Sequence, residues 1–315
     1  MKTTTFILIA LLAATSVLAQ KPNQGKKPRE IPPNRTGGHL SLEKFKALPS
    51  NPADYRIAYG KDENQFGDLR VPSGAGLHPV VILIHGGCWK ADFATLRDLA
   101  PMADALKTEG IATWNIEYRR LSQSGSGWPG TYLDVSKSVD YLRSIATDKK
   151  LDLSRVVVVG HSAGGHLAMW AASRLRLSSG SALYVKDPLP IRGVIDLAGT
   201  ADMEAFIQFE QHGCNGAVVE EMLGGKPVDV PERYAQVSAI KMLPLRIPQV
   251  LIWGRDDDIA PISLGEKYTL AAKQAGDPVR LVSIPDVGHF EIASPLATTW
   301  PAVRKEIVAL LAKQP

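Results

Sequence analysis

Two hydrophobic rhythms divide the chain. Short, apolar-rich stretches recur at Pro79-Val80-Val81-Ile82-Leu83-Ile84, at 112–118, at Val156-Val157-Val158-Val159, at 191–197, at 249–254 and at 279–284, and those at 79–84 and 156–159 are unbroken by a polar residue. Runs this short and this rich in β-branched residues read as strands covered on both faces. Between them lie stretches with helical spacing: 96–109, stopped by Gly110; 132–146, with Leu133, Val135, Val139 and Leu142 among its apolar positions; the segment after Ser162; and 301–313. Ahead of these, 53–60 alternates as an early strand does and 66–71 reads as a second. Regular alternation of strand and helix predicts an α/β fold, a mostly parallel sheet with helices on both faces. Such a sheet gathers its chemistry at the carboxyl ends of its strands.

The rhythm fails in two places. Between 201 and 243, short helical pieces are mixed with Gly213, Gly216, Gly224 and Gly225, which predicts a small cap inserted over the strand ends. Residues 20–50 are rich in Pro, Lys, Asn and Gly, and predict a flexible leader ahead of one domain over 51–315. Residues 1–19 read as a signal peptide: Met1-Lys2, an apolar core from Phe6 to Ala14, and Val17-Leu18-Ala19 at the cleavage positions. Gln20 would then lead the mature protein. The apolar run is too short for a membrane anchor, so the expectation is an exported protein, periplasmic or secreted, with no stable membrane insertion after cleavage.

Composition narrows the field. A chain of 315 residues with 45% hydrophobic content supplies one large core. Lys+Arg 36 against Asp+Glu 32, with no long basic run, argues against a nucleic-acid partner. No H-x-x-x-H or C-x-x-C spacing suggests a metal, and no cofactor is expected. The only cysteines are Cys88 and Cys214. Export favours their oxidation to a bridge between a loop and the cap; the alternative is two buried free thiols.

The chemistry centres on Gly160-His161-Ser162-Ala163-Gly164, directly after the valine run. G-x-S-x-G between a strand and a helix is a nucleophile elbow, a tight turn that holds a serine hydroxyl above the sheet. Small flanking residues are needed because strand and helix backbones approach closely there. His85-Gly86-Gly87-Cys88-Trp89 follows another buried strand; its glycines let backbone N–H groups face a substrate oxygen, with Ala163 N–H as their partner in an oxyanion hole. His85 reads as a pin for that loop. The loop after 279–284 carries Gly288-His289, and His289 is the candidate base. His161 and His166 are too local to the elbow for that role and read as packing groups. The acid is one of Asp256, Asp257 and Asp258 after the strand 249–254, or Asp196 at the end of the strand 191–197. Trp89 and Trp128 are candidates for the substrate pocket.

The order Ser, Asp, His, with an HGG loop upstream, resembles the α/β-hydrolase superfamily, in its branch of HGG-loop carboxylesterases and lipases. The resemblance spans about 54–311 and implies an α/β-hydrolase fold. In that family the acid commonly stands fourth in G-x-x-D-x-x-V-P, which here falls on Gly254, Asp257 and Pro261, with Ala260 in place of valine. The resemblance also implies that Arg119 and Asp134 brace the scaffold. The expected activity is hydrolysis of a small-molecule carboxylic ester by Ser162, His289 and Asp257, with Gly86, Gly87 and Ala163 as the oxyanion hole. An amidase, arylformamidase or peptidase using the same three residues is the alternative. A non-catalytic binding protein would be expected to have lost one of these parts.

Overall fold

The computed structural model describes residues 39–312. The expected signal peptide, and the leader up to residue 38, lie outside the described residues. Eight strands form one sheet: β1 (Tyr55–Ala58), β2 (Phe66–Arg70), β3 (His78–Ile84), β4 (Ala112–Ile116), β5 (Leu151–His161), β6 (Gly193–Leu197), β7 (Gln249–Gly254) and β8 (Val279–Ile284). Their order across the sheet is β1-β2-β4-β3-β5-β6-β7-β8. The β1–β2 and β2–β4 pairs are antiparallel, and every pair from β4 to β8 is parallel. Each strand expected from the apolar runs is present, with ends moved by a few residues at most in all but β5, which begins five residues before the valines.

Val156, Val157, Val158 and Val159 are fully buried, as a strand covered on both faces requires. The cover comes from α4 (Ala163–Ser173) and α9 (Trp300–Leu311), which both pack on β5 and β6. Also present are α2 (Ala100–Thr108), α3 (Gly130–Ile145) and α8 (Ser263–Gln274). The helix expected over 96–109 splits into a 3₁₀ turn, Leu96–Leu99, and α2. Pro101 explains the break: a proline lacks the N–H that a helix interior uses and is accommodated in a first turn. Helix α8 was not anticipated from the apolar spacing.

The insertion over 201–243 is a cap of three short helices, α5 (Met203–Cys214), α6 (Val218–Leu223) and α7 (Pro231–Val237), followed by the 3₁₀ turn Ala239–Met242. The Asp202 side chain caps α5 by accepting the Ala205 N–H, and Asn215 ends it in the left-handed region.

The flexible leader expected over 20–50 does not extend to residue 50. Ser41 caps a short helix, α1 (Leu42–Lys46), its hydroxyl accepting the Lys44 N–H, and Phe45 is buried. Leu40, Phe45 and Leu48 supply enough apolar surface to hold this segment on the domain despite its polar surroundings.

Candidate active site

The parallel register sets the site. Ile84, the last residue of β3, lies opposite Gly160 of β5, which lies opposite Asp196 of β6. Gly254 of β7 lies opposite Ile284 of β8. The HGG loop, the elbow, the three aspartates and the His289 loop therefore leave the same edge of the sheet.

Ser162 has φ 55° and ψ −123°, a conformation that L-residues rarely adopt, and α4 starts at the next residue. The close approach expected of the elbow is present: a Cβ on Gly160 would lie 1.9 Å from the Gly164 carbonyl oxygen. Ser162 N–H donates to the Leu197 carbonyl at 2.8 Å, which ties the turn to β6. Among the described residues the Ser162 hydroxyl makes no hydrogen bond, and the N–H groups of Gly86, Gly87 and Ala163 donate to no protein acceptor.

His289 Nδ1 lies 2.6 Å from Asp257 Oδ2, and both side chains are buried. The other carboxylate oxygen of Asp257 accepts the Ile259 N–H at 2.9 Å and the Ala260 N–H at 2.8 Å. These two bonds fix the carboxylate so that Oδ2 is left for the imidazole. Asp256 and Asp258 are exposed at the same turn. Asp196 turns elsewhere: Oδ1 accepts the Gly199 N–H at 2.8 Å, and Oδ2 is buried without a partner. Burial pushes its carboxyl up to about 7.

His161, His166 and His85 are framework groups. His161 Nε2 donates to the His289 carbonyl at 3.0 Å. Burial, reinforced by the neighbouring His289, pushes His161 down to about 3 and keeps it neutral. His166 donates from Nε2 to the Val237 carbonyl at 3.2 Å, joining α4 to the cap, and burial pushes it down to about 3 as well. His85 bonds Glu117 at 2.8 Å and stacks on Tyr118, whose hydroxyl donates to the His85 carbonyl. Burial pushes the Glu117 carboxyl up, but His85 and Arg120 outweigh it and leave the group below its ordinary value. Arg119 and Asp134 form a two-pronged ion pair at 2.7 and 2.8 Å.

Two cavities flank Ser162. The larger, about 70 Å³, contains Gly86, Gly87, His289 and an apolar wall that includes Leu42, Phe45, Phe93, Ile259 and Phe290. The smaller, about 10 Å³, lies among Trp89, Ala163, Phe206 and the two cysteines. Trp89 thus borders the site, its ring set edge-on against His166 and Phe206. Trp128 lines neither cavity. It lies against Tyr132 of α3, with the cap residue Arg233 over its ring, because its backbone N–H is bonded to Met222 of the cap. Cys88 and Cys214 form a disulfide that joins the HGG loop to the end of α5. The apolar wall contributed by Leu42 and Phe45 was missed in the sequence. Its signal was present: Ser41, an N-cap residue, precedes leucine and phenylalanine three positions apart.

A mostly parallel eight-stranded sheet, with a serine elbow and an Asp–His pair at one edge, defines an α/β-hydrolase. Residues 68–270 match the BD-FAE family, and the chain belongs to that family. The chain is 25% identical over 250 residues to Esterase LipC of Mycobacterium tuberculosis, which covers 75% of this chain and 57% of that protein. It is 24% identical over 243 residues to the probable isoprenylcysteine alpha-carbonyl methylesterase ICME of Oryza sativa subsp. japonica, covering 75% of this chain and 58% of that one. The chain therefore spans little more than half the length of these curated relatives. Among solved structures, Esterase B from Lactobacillus Rhamnosis (HN001) shares the fold with a TM-score of 0.70 at 20% identity, covering 85% of this chain and 90% of that one.

Proposed function

We propose that this protein is an exported serine hydrolase that cleaves carboxylic esters of small molecules through Ser162, His289 and Asp257. The observation that carries the reading is the pairing of His289 with a fixed Asp257 carboxylate beside the same cavity as the Ser162 elbow. Family membership and esterase relatives support it.

In this mechanism His289 takes the proton of the Ser162 hydroxyl as the oxygen attacks the ester carbonyl. Asp257 holds the Nδ1 proton, which fixes the tautomer and stabilises the imidazolium. The unspent N–H groups of Gly86, Gly87 and Ala163 receive the charge that forms on the carbonyl oxygen. Each such donor contributes about 3 kcal/mol in the transition state. His289 then protonates the leaving alcohol, and water resolves the acyl-enzyme by the reverse sequence.

Ser162→Ala tests the reading directly. Hydrolysis of p-nitrophenyl esters should fall by on the order of 10⁶ in kcat, with circular dichroism unchanged. A folded variant that turns over at the wild-type rate contradicts the serine mechanism.

A further inference from the structure

The larger cavity beside Ser162 has a wall that does not come from the sheet, its loops or the cap. Leu42 and Phe45 belong to α1, upstream of the first strand and outside the residues matched by the family. Phe45 is 3% exposed; its ring stacks on Phe290 at 5.3 Å and lies 5.7 Å from the His161 ring. Leu42 is 40% exposed. The lining also includes Cys88, Gly213 and Ile259.

The segment is fastened to the two loops that carry the reacting groups. Leu40 N–H donates to Glu291, two residues beyond His289. His39 lies 3.4 Å from Glu291 and 3.6 Å from Asp256, the neighbour of Asp257. A wall tied to both loops keeps its distance from Ser162 when those loops are in place. The cavity it bounds is lined mainly by aliphatic and aromatic carbon, with Phe93, Leu99, Ile259 and Phe290 completing it.

We propose that residues 39–46 form a substrate-selecting wall, in which Phe45 and Leu42 set the size of the apolar group, alkyl or aromatic, that an ester substrate places beside Ser162. This inference rests on the esterase reading given above. One methylene in a hydrophobic pocket changes kcat/KM by about 10–200-fold, so a change of one side chain on the wall is measurable in ratios between substrates.

The test uses the full chain and two ester series: p-nitrophenyl esters of increasing acyl length, and acetates of increasingly large alcohols. Together they report the cavity whichever side of the ester it holds. Phe45→Ala should raise kcat/KM for the largest members relative to the smallest by about tenfold in one series, and Leu42→Trp should lower the same ratio by a similar factor. Leu42→Trp adds bulk at a half-exposed position and removes nothing from the core, so it keeps the test decisive if Phe45→Ala does not fold. Ratios unmoved in both series overturn the wall, as does a uniform loss across all members, which would mark a disturbed His289 loop instead. A wild-type protein inert toward both series overturns the esterase reading and this inference with it; an active wild type with unmoved ratios overturns this inference alone.

Discussion

Asp196, near the end of β6, and Asp257, in the loop after β7, are both buried, and their surroundings give them different chemistry. Asp257 has two backbone donors on one oxygen and an imidazole on the other. Asp196 has one backbone donor and an unpartnered oxygen. Replacing Asp257 by asparagine keeps the shape but removes the charge that selects the correct imidazole tautomer. In assays with p-nitrophenyl acetate, Asp257→Asn should lose about 10⁴ in kcat, the cost known for the equivalent change in a serine protease. Asp256→Asn, Asp258→Asn and Asp196→Asn should each lose less than about tenfold. A dead Asp196→Asn beside an active Asp257→Asn would reverse the assignment. Asp196 also makes a stability prediction. Its folded value of about 7 stands above its ordinary 3.8, so between those pH values the folded state holds a proton that the unfolded state releases. That contribution to stability is full below 3.8 and is lost as pH rises through 7. Asp196→Asn, which cannot ionise, should therefore gain stability relative to the wild type on going from pH 5 to pH 8, read as denaturation midpoints at each. His161 and His166 act in the opposite sense. Both are held near 3 in the fold, so the unfolded chain takes up their protons first as pH falls below 6.5. Acid unfolding should begin in that window.

At the scale of elements, the HGG loop is the part under most tension. Gly87, Cys88 and Trp89 have consecutive positive φ values of 97°, 52° and 56°, two of them at residues with side chains. Such residues cost about 1–3 kcal/mol each and persist only where their surroundings fix them. Here the Lys90 N–H closes a turn onto the Gly87 carbonyl, His85 is pinned by Glu117, and the disulfide fastens Cys88 to the cap. The bridge spans 126 residues. Its loss should lower unfolding free energy by about 2–5 kcal/mol, because it constrains so long a loop in the unfolded chain. Denaturant curves of the Cys88→Ser/Cys214→Ser double variant measure this, and the same variant should lose kcat more than it raises KM, since the oxyanion donors are the neighbours released. Equal stability and equal kcat would show that the loop holds itself. The bridge is what two cysteines in a chain read as exported lead one to expect. That the loop it holds runs through three left-handed residues was not legible, because neither cysteine nor tryptophan signals a positive φ.

For the molecule as a whole, the sheet order explains why residues from 86 to 289 meet at one edge, while export rests on residues outside the described part. Expressed with its leader in a bacterium, the protein should be recovered from the periplasm or medium with Gln20 as its first residue. N-terminal sequencing that finds Met1 on a membrane-bound product would contradict this. Local pattern alone was enough to place the strands, because an uninterrupted apolar run such as Val156 to Val159 has few other uses, and to place Ser162 and His289 on turns, because glycines mark where the chain can bend sharply. It also set Ser162 ahead of His289 and put the candidate acids between them. What depended on contacts between distant segments had to wait for the fold. The family pattern already pointed to Asp257 among the three aspartates; the fold supplies the contact that makes it the partner of His289, across 32 positions. Trp128 faces the cap because Met222 and Arg233 come back to it. Phe45 belongs to the site because Phe290, far along the chain, offers it a ring to stack on. Periodicity records which residues seek burial; the partner that buries them is chosen only when the sheet closes and brings remote loops to one edge.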